Sequence, residues 1–216
     1  MLSTYEELML LSIHEDKGTF IKSAVEKMNP GLIGAVLAEL ALQGKIQTTE
    51  NHRLKLQDST PTGDELLDEV LEELKGSDKE RKIGYWINEL NPKPDKLRKN
   101  LIERLIQKGI VTQEDDHLLW VIPSPSQPEK NASEKYWIKR RLRSIVLAQD
   151  EAEQNDIALL SLISACDLLD LIFVKDERRI ASRHIHELIV SRALKDPIDQ
   201  TLEEIETAIA VVVEDD

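Results

Sequence analysis

One cysteine in 216 residues leaves Cys166 without an intrachain partner, which fits a chain that folds in a reducing compartment. Aromatic residues are scarce at 4%, so each of the three tryptophans needs a specific reason for its place. Positive charge is in deficit: 28 Lys and Arg face 41 Asp and Glu, for a net charge of −13. Such a chain is repelled on average by nucleic acids and anionic membranes, and binding to either requires a local basic patch. Long apolar runs are also missing. The most apolar stretch, "IALLSLISACDLLDLIF", carries Asp167 and Asp170 and falls short of the roughly 20 apolar residues of a membrane span. It reads as a buried helix. The opening "MLSTYEELMLLSIHEDKG" has no basic residues ahead of its apolar run, so no secretory leader is expected.

The motifs of the common catalytic loops are absent too: no G-x-S-x-G, Walker A loop, G-x-G-x-x-G or H-E-x-x-H occurs. His184 and His186 lie two apart, on different faces of a helix, and would not share a metal. Cys166 sits in the most apolar helix and reads as a small core residue. The sequence therefore points to a protein that is not an enzyme and needs no cofactor or metal.

What is present is helix after helix. Ser3 and Glu6 form a capping box before "LMLLSIH". Asn29-Pro30-Gly31 reads as a break before "LIGAVLAELALQ", with Gly44 as its C-cap. "KIQTTENHRLKL" reads as a β-hairpin turning at Glu50 to His52. Thr62 or Asp64 caps "ELLDEVLEELK", which places Leu66, Leu67, Val70, Leu71 and Leu74 on one face. "RKIGYWINEL" is a short helix, and "LRKNLIERLIQK" is another that ends at Gly109. A second hairpin follows, "IVT", polar "QEDDH", then "LLWVI". The Pro- and Ser-rich stretch 123–134 is linker-like. "YWIKRRLRSIVLA", the apolar "DIALLSLISACDLLDLIF", "ERRIASRHIHELIVSRA" and "TLEEIETAIAVVV" complete the chain. The expected fold is mainly α: one domain over 1–216, a helical bundle with two small β-hairpins.

The helix–Gly–hairpin segments align at an offset of 65: Gly44 with Gly109, Glu50 with Asp115, His52 with His117, Leu54 with Leu119. This is either a weak internal repeat or the shared need of two helices for an αL glycine and a polar turn. Helix plus hairpin is also winged-helix geometry. DNA binding is opposed by the net charge and by "VLAELALQ", which offers no cation to phosphate, so no nucleic-acid partner is expected.

Two stretches run against the acidity. "KPDKLRKNLIERLIQK" holds Lys93, Lys96, Arg98, Lys99, Arg104 and Lys108, and "EKYWIKRRLR" holds Lys135, Lys139, Arg140, Arg141 and Arg143. Side by side they would form one basic face suited to a phosphorylated headgroup, because arginine offers forked donors to phosphate oxygens. Between them, Leu118, Leu119 and Trp120 are consecutive, so at least one side chain points away from the hairpin's inner face. An apolar hairpin with a Trp beside cations suits a membrane interface or contact between copies of the chain. The alternative is that Trp120 packs on the preceding helix and the cations are solvated.

"GLIGAVLAELALQGKI", "PTGDELLDEVL", "LIERLIQKGIVT" and "LLSLISACDLLD" resemble, in order and spacing, the Golgi phosphoprotein 3 (GPP34) family, along nearly the whole chain. The resemblance implies a GPP34-type bundle with one protruding hairpin and a peripheral protein of the Golgi membrane. Such a protein binds phosphatidylinositol 4-phosphate and links membrane and cargo to trafficking machinery. It also implies a pocket of one Trp and three Arg, which this chain keeps in part. Ile21 or a neighbour stands where the Trp belongs, Ile33 replaces one Arg, Asp95 falls at another with Lys96 beside it, and Arg98 is retained. The chain is similar to the short, compact bacterial homologues. The resulting expectation is a cytoplasmic adaptor, peripheral on the cytoplasmic face of a membrane. In it Arg98, Lys96 and Arg141 contact an anionic phospholipid headgroup, phosphatidylinositol 4-phosphate in the family. Leu118, Leu119 and Trp120 enter the membrane or join copies through the 110–122 hairpin, and a protein cargo is the further partner. The alternatives are a soluble protein–protein interaction module without phosphoinositide binding and a winged-helix-like DNA binder.

Overall fold

The fold is that of a computed structural model, which describes residues 2–13, 21–90, 94–114, 117–120 and 134–215. Its helices are α1 (Thr4–Leu11), α2 (Lys22–Leu42), α3 (Glu65–Lys75), α4 (Ile83–Glu89), α5 (Pro94–Gln107), α6 (Glu134–Arg143), α7 (Gln154–Ala165), α8 (Arg178–Ala193) and α9 (Pro197–Asp215). Strands β1 (Ile46–Thr48), β2 (Arg53–Leu56) and β3 (Arg81–Lys82) form one antiparallel sheet, and β4 (Val111–Glu114) and β5 (His117–Trp120) form a separate ribbon. The mainly α expectation holds. Among the described residues no helix is long and apolar enough to cross a membrane.

The centre of the bundle is α2, α7 and α9, packed on one another, with α1 against α2 and α8 against α9. The expected break at Asn29-Pro30-Gly31 does not occur: α2 runs from Lys22 through Pro30 to Leu42. Pro30 lacks an amide for its helix and disfavours the turn before it. Burial of Met28, Leu32 and the turns around them outweighs that cost. The glycines answer to packing instead. A Cβ on Gly31 would lie 2.4 Å from Cys166 Sγ, and one on Gly34 would lie 2.2 Å from Ile209 Cδ1. The two glycines let α2 approach the end of α7 and the face of α9. Cys166 is fully buried there, as a core residue.

The long apolar helix expected over 156–173 is also shorter than its sequence. It ends at Ala165, Asp167 takes a left-handed φ of 50°, and a 3₁₀ turn follows at Leu169–Leu171. Asp tolerates that conformation better than the branched residues around it. The stretch stays buried through Leu168 and Phe173, because hydrophobicity reports burial and not helix continuity.

Gly44 and Gly109 both have φ of 68°. The two helix ends carry the same pair of bonds. Gly44 N–H donates to Ala41 O and Lys45 N–H to Leu40 O, at 2.9 and 2.8 Å; Gly109 N–H donates to Ile106 O and Ile110 N–H to Leu105 O, at 2.9 and 3.0 Å. This is a Schellman end in each case. The two hairpins then diverge. β2 recruits Arg81 and Lys82 as a third strand, which the sequence reading assigned to the following helix. α9 holds that sheet: Thr48 N–H donates to Thr201 Oγ1 at 3.1 Å, and His52 Nδ1 lies 3.2 Å from Glu204 Oε1. β4–β5 forms its own ribbon, with β4 packed on α5.

On α9, burial pushes the Glu206 carboxyl up to about 7, against a hydrogen bond from Ser164 and with the help of the Glu203 charge. The folded state thus holds this proton more tightly than the unfolded chain, and stability falls as pH rises from about 4.5 to about 7. Glu206→Gln is expected to raise stability at pH 8 by about 1–3 kcal/mol and to change it little at pH 4.5. Urea unfolding midpoints at the two pH values check the sign.

Candidate functional site

The cations of α5 meet different fates along the helix. At its start, Lys96 is exposed and Arg98 donates to Asn29 Oδ1 at 2.7 Å. Next to Arg98, Lys99 stands 3.9 Å from Glu103, one turn on. Arg104 forms a fork with Asp64: Nη1 to Oδ2 at 2.6 Å and Nη2 to Oδ1 at 2.8 Å. Tyr5 Oη donates to the same Oδ2 at 2.7 Å. Lys108 pairs with Glu6 at 2.6 Å, and Glu6 Oε2 also accepts the Ser3 amide at 2.9 Å, the expected capping-box bond. Asp64, not Thr62, caps α3 by accepting the amides of Leu66 and Leu67 at 2.9 and 3.3 Å. Burial raises Asp64, but Arg104 and Tyr5 outweigh it and hold the carboxyl at about 2. Burial chiefly keeps the Tyr5 phenol protonated well above its usual range. The Asp64 of the "PTGD" block is thus a clamp joining α1, α3 and α5.

On α6, Lys135 is buried and donates to the Ile13 carbonyl at 2.5 Å. Arg141 bridges Glu7 and Asp156, each at 2.7 Å. Burial opposes its charge, but the bonds it donates to Glu7 and Asp156 hold the guanidinium protonated; burial also pushes the Glu7 carboxyl up in spite of Arg141. This cleft of about 400 Å³ is otherwise acidic, with Asp150, Glu151 and Glu153 on its wall.

α5 and α6 therefore do not merge into one uniformly basic face. Each packs on α1, not extensively on the other, and most of the cations quoted above are matched by carboxylates or carbonyls within the bundle. Lys96 and Arg98 share the start of α5, whereas Arg141 stands in a different cleft. Lys96 lines a groove of about 950 Å³ formed by α2, α3, α4 and α5. Ile33, Val36, Leu66, Val70, Leu90 and Leu97 give it an apolar floor, and Glu65, Asp68, Glu69, Glu72, Glu73 and Glu89 line it with carboxylates. Ile33, at a position where the resemblance calls for arginine, is 5% exposed on that floor. The leucine face of α3 was legible in its spacing; the groove, which needs α4 and α5, was not.

The backbone of Leu118, Leu119 and Trp120 lies in β5, in register with Gln113, Thr112 and Val111. The orientation of their side chains falls outside the described residues, as do the early loop with Phe20 and the linker-like 123–133 part of the stretch expected over 123–134. Ile21 is half-buried just before α2. Sequence reasoning missed Trp137 and Tyr136, which are exposed on α6, and Trp86, which is buried in α4. Among the described residues no group of three His, Cys, Asp or Glu could hold a metal.

The Golgi phosphoprotein 3 (GPP34) family matches residues 5–205 of the chain. A curated relative, the vacuolar protein sorting-associated protein 74 of Eremothecium gossypii, is 27% identical over 169 residues, which cover 69% of this chain and 50% of the relative. The chain thus spans half the length of that relative.

Proposed function

Because the chain belongs to the Golgi phosphoprotein 3 (GPP34) family, we propose that it is a non-catalytic peripheral membrane adaptor that meets anionic phospholipid through the start of α5 and the β4–β5 ribbon. The observation that carries this reading is the placement of the ribbon. It grows from the end of α5, the helix that bears Lys96 and Arg98, and stands apart from the sheet that α9 clamps. Arg98 and Lys96 contact the headgroup phosphate, and Leu118, Leu119 and Trp120 enter the interface. Arg141 is held by Glu7 and Asp156 in an otherwise acidic cleft, so it adds no headgroup contact to this reading. The name of the relative supports a role in protein sorting, with a protein cargo as the second partner.

The headgroup of the proposal is phosphatidylinositol 4-phosphate, bound more weakly than by a full pocket because Ile33 and Asp95 offer phosphate no cation. Co-sedimentation with vesicles with and without this lipid tests it. Stronger pelleting with the lipid is expected, and Arg98→Ala should weaken it about 10–100-fold, the effect of one charge-assisted hydrogen bond. Equal, negligible pelleting in both removes the reading.

A second reading, a soluble interaction module that does not bind phosphoinositide, draws on the carboxylate-lined groove of α2, α3, α4 and α5. Its apolar floor and acidic lining suit a protein segment better than a phosphate. Under that reading a partner that co-purifies is lost on Glu69→Lys and kept on Arg98→Ala.

A further inference from the structure

Two segments far apart in sequence meet at the C-terminal end of α6. Arg143 sends two bonds of 2.7 Å to the Glu177 carboxylate, donates to the Ile172 carbonyl at 3.0 Å and lies over the Phe173 ring at 5.9 Å. Arg178 Nε donates to the Phe173 carbonyl at 3.2 Å. These bonds bolt α6 to the turn that opens α8.

The surface on both sides of the bolt combines exposed apolar side chains with cations. On α6, Tyr136 and Trp137 are 52% and 43% exposed, with their rings edge-on at 5.4 Å. The Arg140 guanidinium stacks over Trp137 at 5.3 Å, and among the described residues no carboxylate pairs with it. Across the bolt, Val174 and Ile180 are 61% and 43% exposed, and the exposed charges between them are Lys175, Arg178 and Arg179 against Asp176. Four of the seven large exposed hydrophobic side chains among the described residues therefore lie on two adjoined segments that also carry unmatched cations.

Tyr and Trp have an apolar ring and a polar edge, and they favour the depth of lipid headgroups. A guanidinium stacked on such a ring keeps its donors aimed outward, where phosphates lie. Val174 next to Lys175 and Ile180 next to Arg179 add aliphatic surface beside cations, as an interfacial segment does. A nucleic acid would need a longer track of cations than this face carries, and it offers no apolar layer for Val174 and Ile180.

We infer that the α6–α8 face is a docking surface for an anionic phospholipid bilayer: Tyr136 and Trp137 sit among the headgroups, and Arg140, Lys175 and Arg179 meet lipid phosphates. The inference rests on the peripheral-membrane reading and adds a contact area that needs neither the ribbon nor Arg98. It requires no phosphoinositide, since several spaced cations read surface charge and no single headgroup.

The test uses the full chain and vesicles of phosphatidylcholine with phosphatidylserine and no phosphoinositide. The wild type is expected to sediment with them, and to do so less at high salt. Trp137→Ser with Arg140→Glu should lower the partition coefficient about 10-fold or more, from the lost ring and a reversed charge. Lys75→Glu makes a single charge reversal on an exposed side chain of α3, away from this face, and should change binding little. Both altered α6 side chains are exposed, so the thermal midpoint should stay near that of the wild type and show that the variant folds. Equal binding by wild type and variant overturns the face and leaves the adaptor reading standing. No binding of these vesicles by the wild type overturns the face alone; the adaptor reading falls only if vesicles carrying phosphatidylinositol 4-phosphate also fail to pellet the chain. A variant that loses vesicle binding only because it shifts from a self-associated state to a monomer, seen by analytical ultracentrifugation, overturns the lipid assignment in favour of a second copy.

Discussion

Arg104→Ala is expected to lower the free energy of unfolding by about 3 kcal/mol, between the value of an exposed ion pair and that of a fully buried one. Both partners are about one-quarter exposed, at 25% and 27%, and removing the guanidinium leaves Asp64 with a charge it is held to keep. For a chain of this size the melting temperature should fall by about 6–12 °C. Arg104→Lys should recover only part of this, because an ammonium cannot form the fork that Nη1 and Nη2 make with the two carboxylate oxygens. The pH dependence follows from the lowered pKa. The folded state holds Asp64 ionised below its unfolded pKa of about 3.9, so the contribution is complete above that pH. It is lost as pH falls toward about 2. Acid unfolding of the Arg104→Ala chain should therefore begin at higher pH. A loss below about 1 kcal/mol would mean that the clamp is worth no more than a surface pair.

Gly34→Ala is the second large effect. The added Cβ would meet Ile209 Cδ1 at 2.2 Å, Ile209 Cγ1 at 3.1 Å and Leu162 Cδ2 at 3.2 Å, in the middle of the α2–α7–α9 core. Helix propensity favours the alanine by about 1 kcal/mol, yet overpacking costs typically 1–3 kcal/mol and more where nothing can shift. A net loss of about 2 kcal/mol is expected. Ile209→Val removes the nearest atom and should make the double variant more stable than the sum of the two single losses predicts. Strict additivity in urea unfolding would show that the two side chains do not compete for that space.

The elements themselves were legible where a local signal was enough. The capping box at Ser3 and Glu6, the leucine face of α3 and the Schellman ends at Gly44 and Gly109 are read within a few residues of the chain. Asp64 was named as a cap, and it is one. Its bonds to Arg104 and Tyr5 were not foreseen, because 40 and 59 positions separate them. Pro30 and Gly31 misled for the opposite reason: the local rule says break, and burial against α7 and α9 overrides it. The basic stretches were visible, but their ion pairs were not, since Glu6, Glu7 and Asp156 come from other parts of the chain. Counting cations along a sequence therefore overstated the charge that reaches solvent. The exposed rings of Tyr136 and Trp137 went unread because the periodicity of α6 does not say which aromatic faces the core.

Hydrogen exchange of the full chain, with and without vesicles carrying phosphatidylinositol 4-phosphate and phosphatidylserine, tests most directly whether this molecule meets a membrane with the surfaces assigned to it. Slower exchange of the β4–β5 amides and of the first turns of α5 and α6, with β1–β3 unchanged, is the predicted result. Protection confined to β1–β3 and α9, or no change anywhere in the chain, would contradict it.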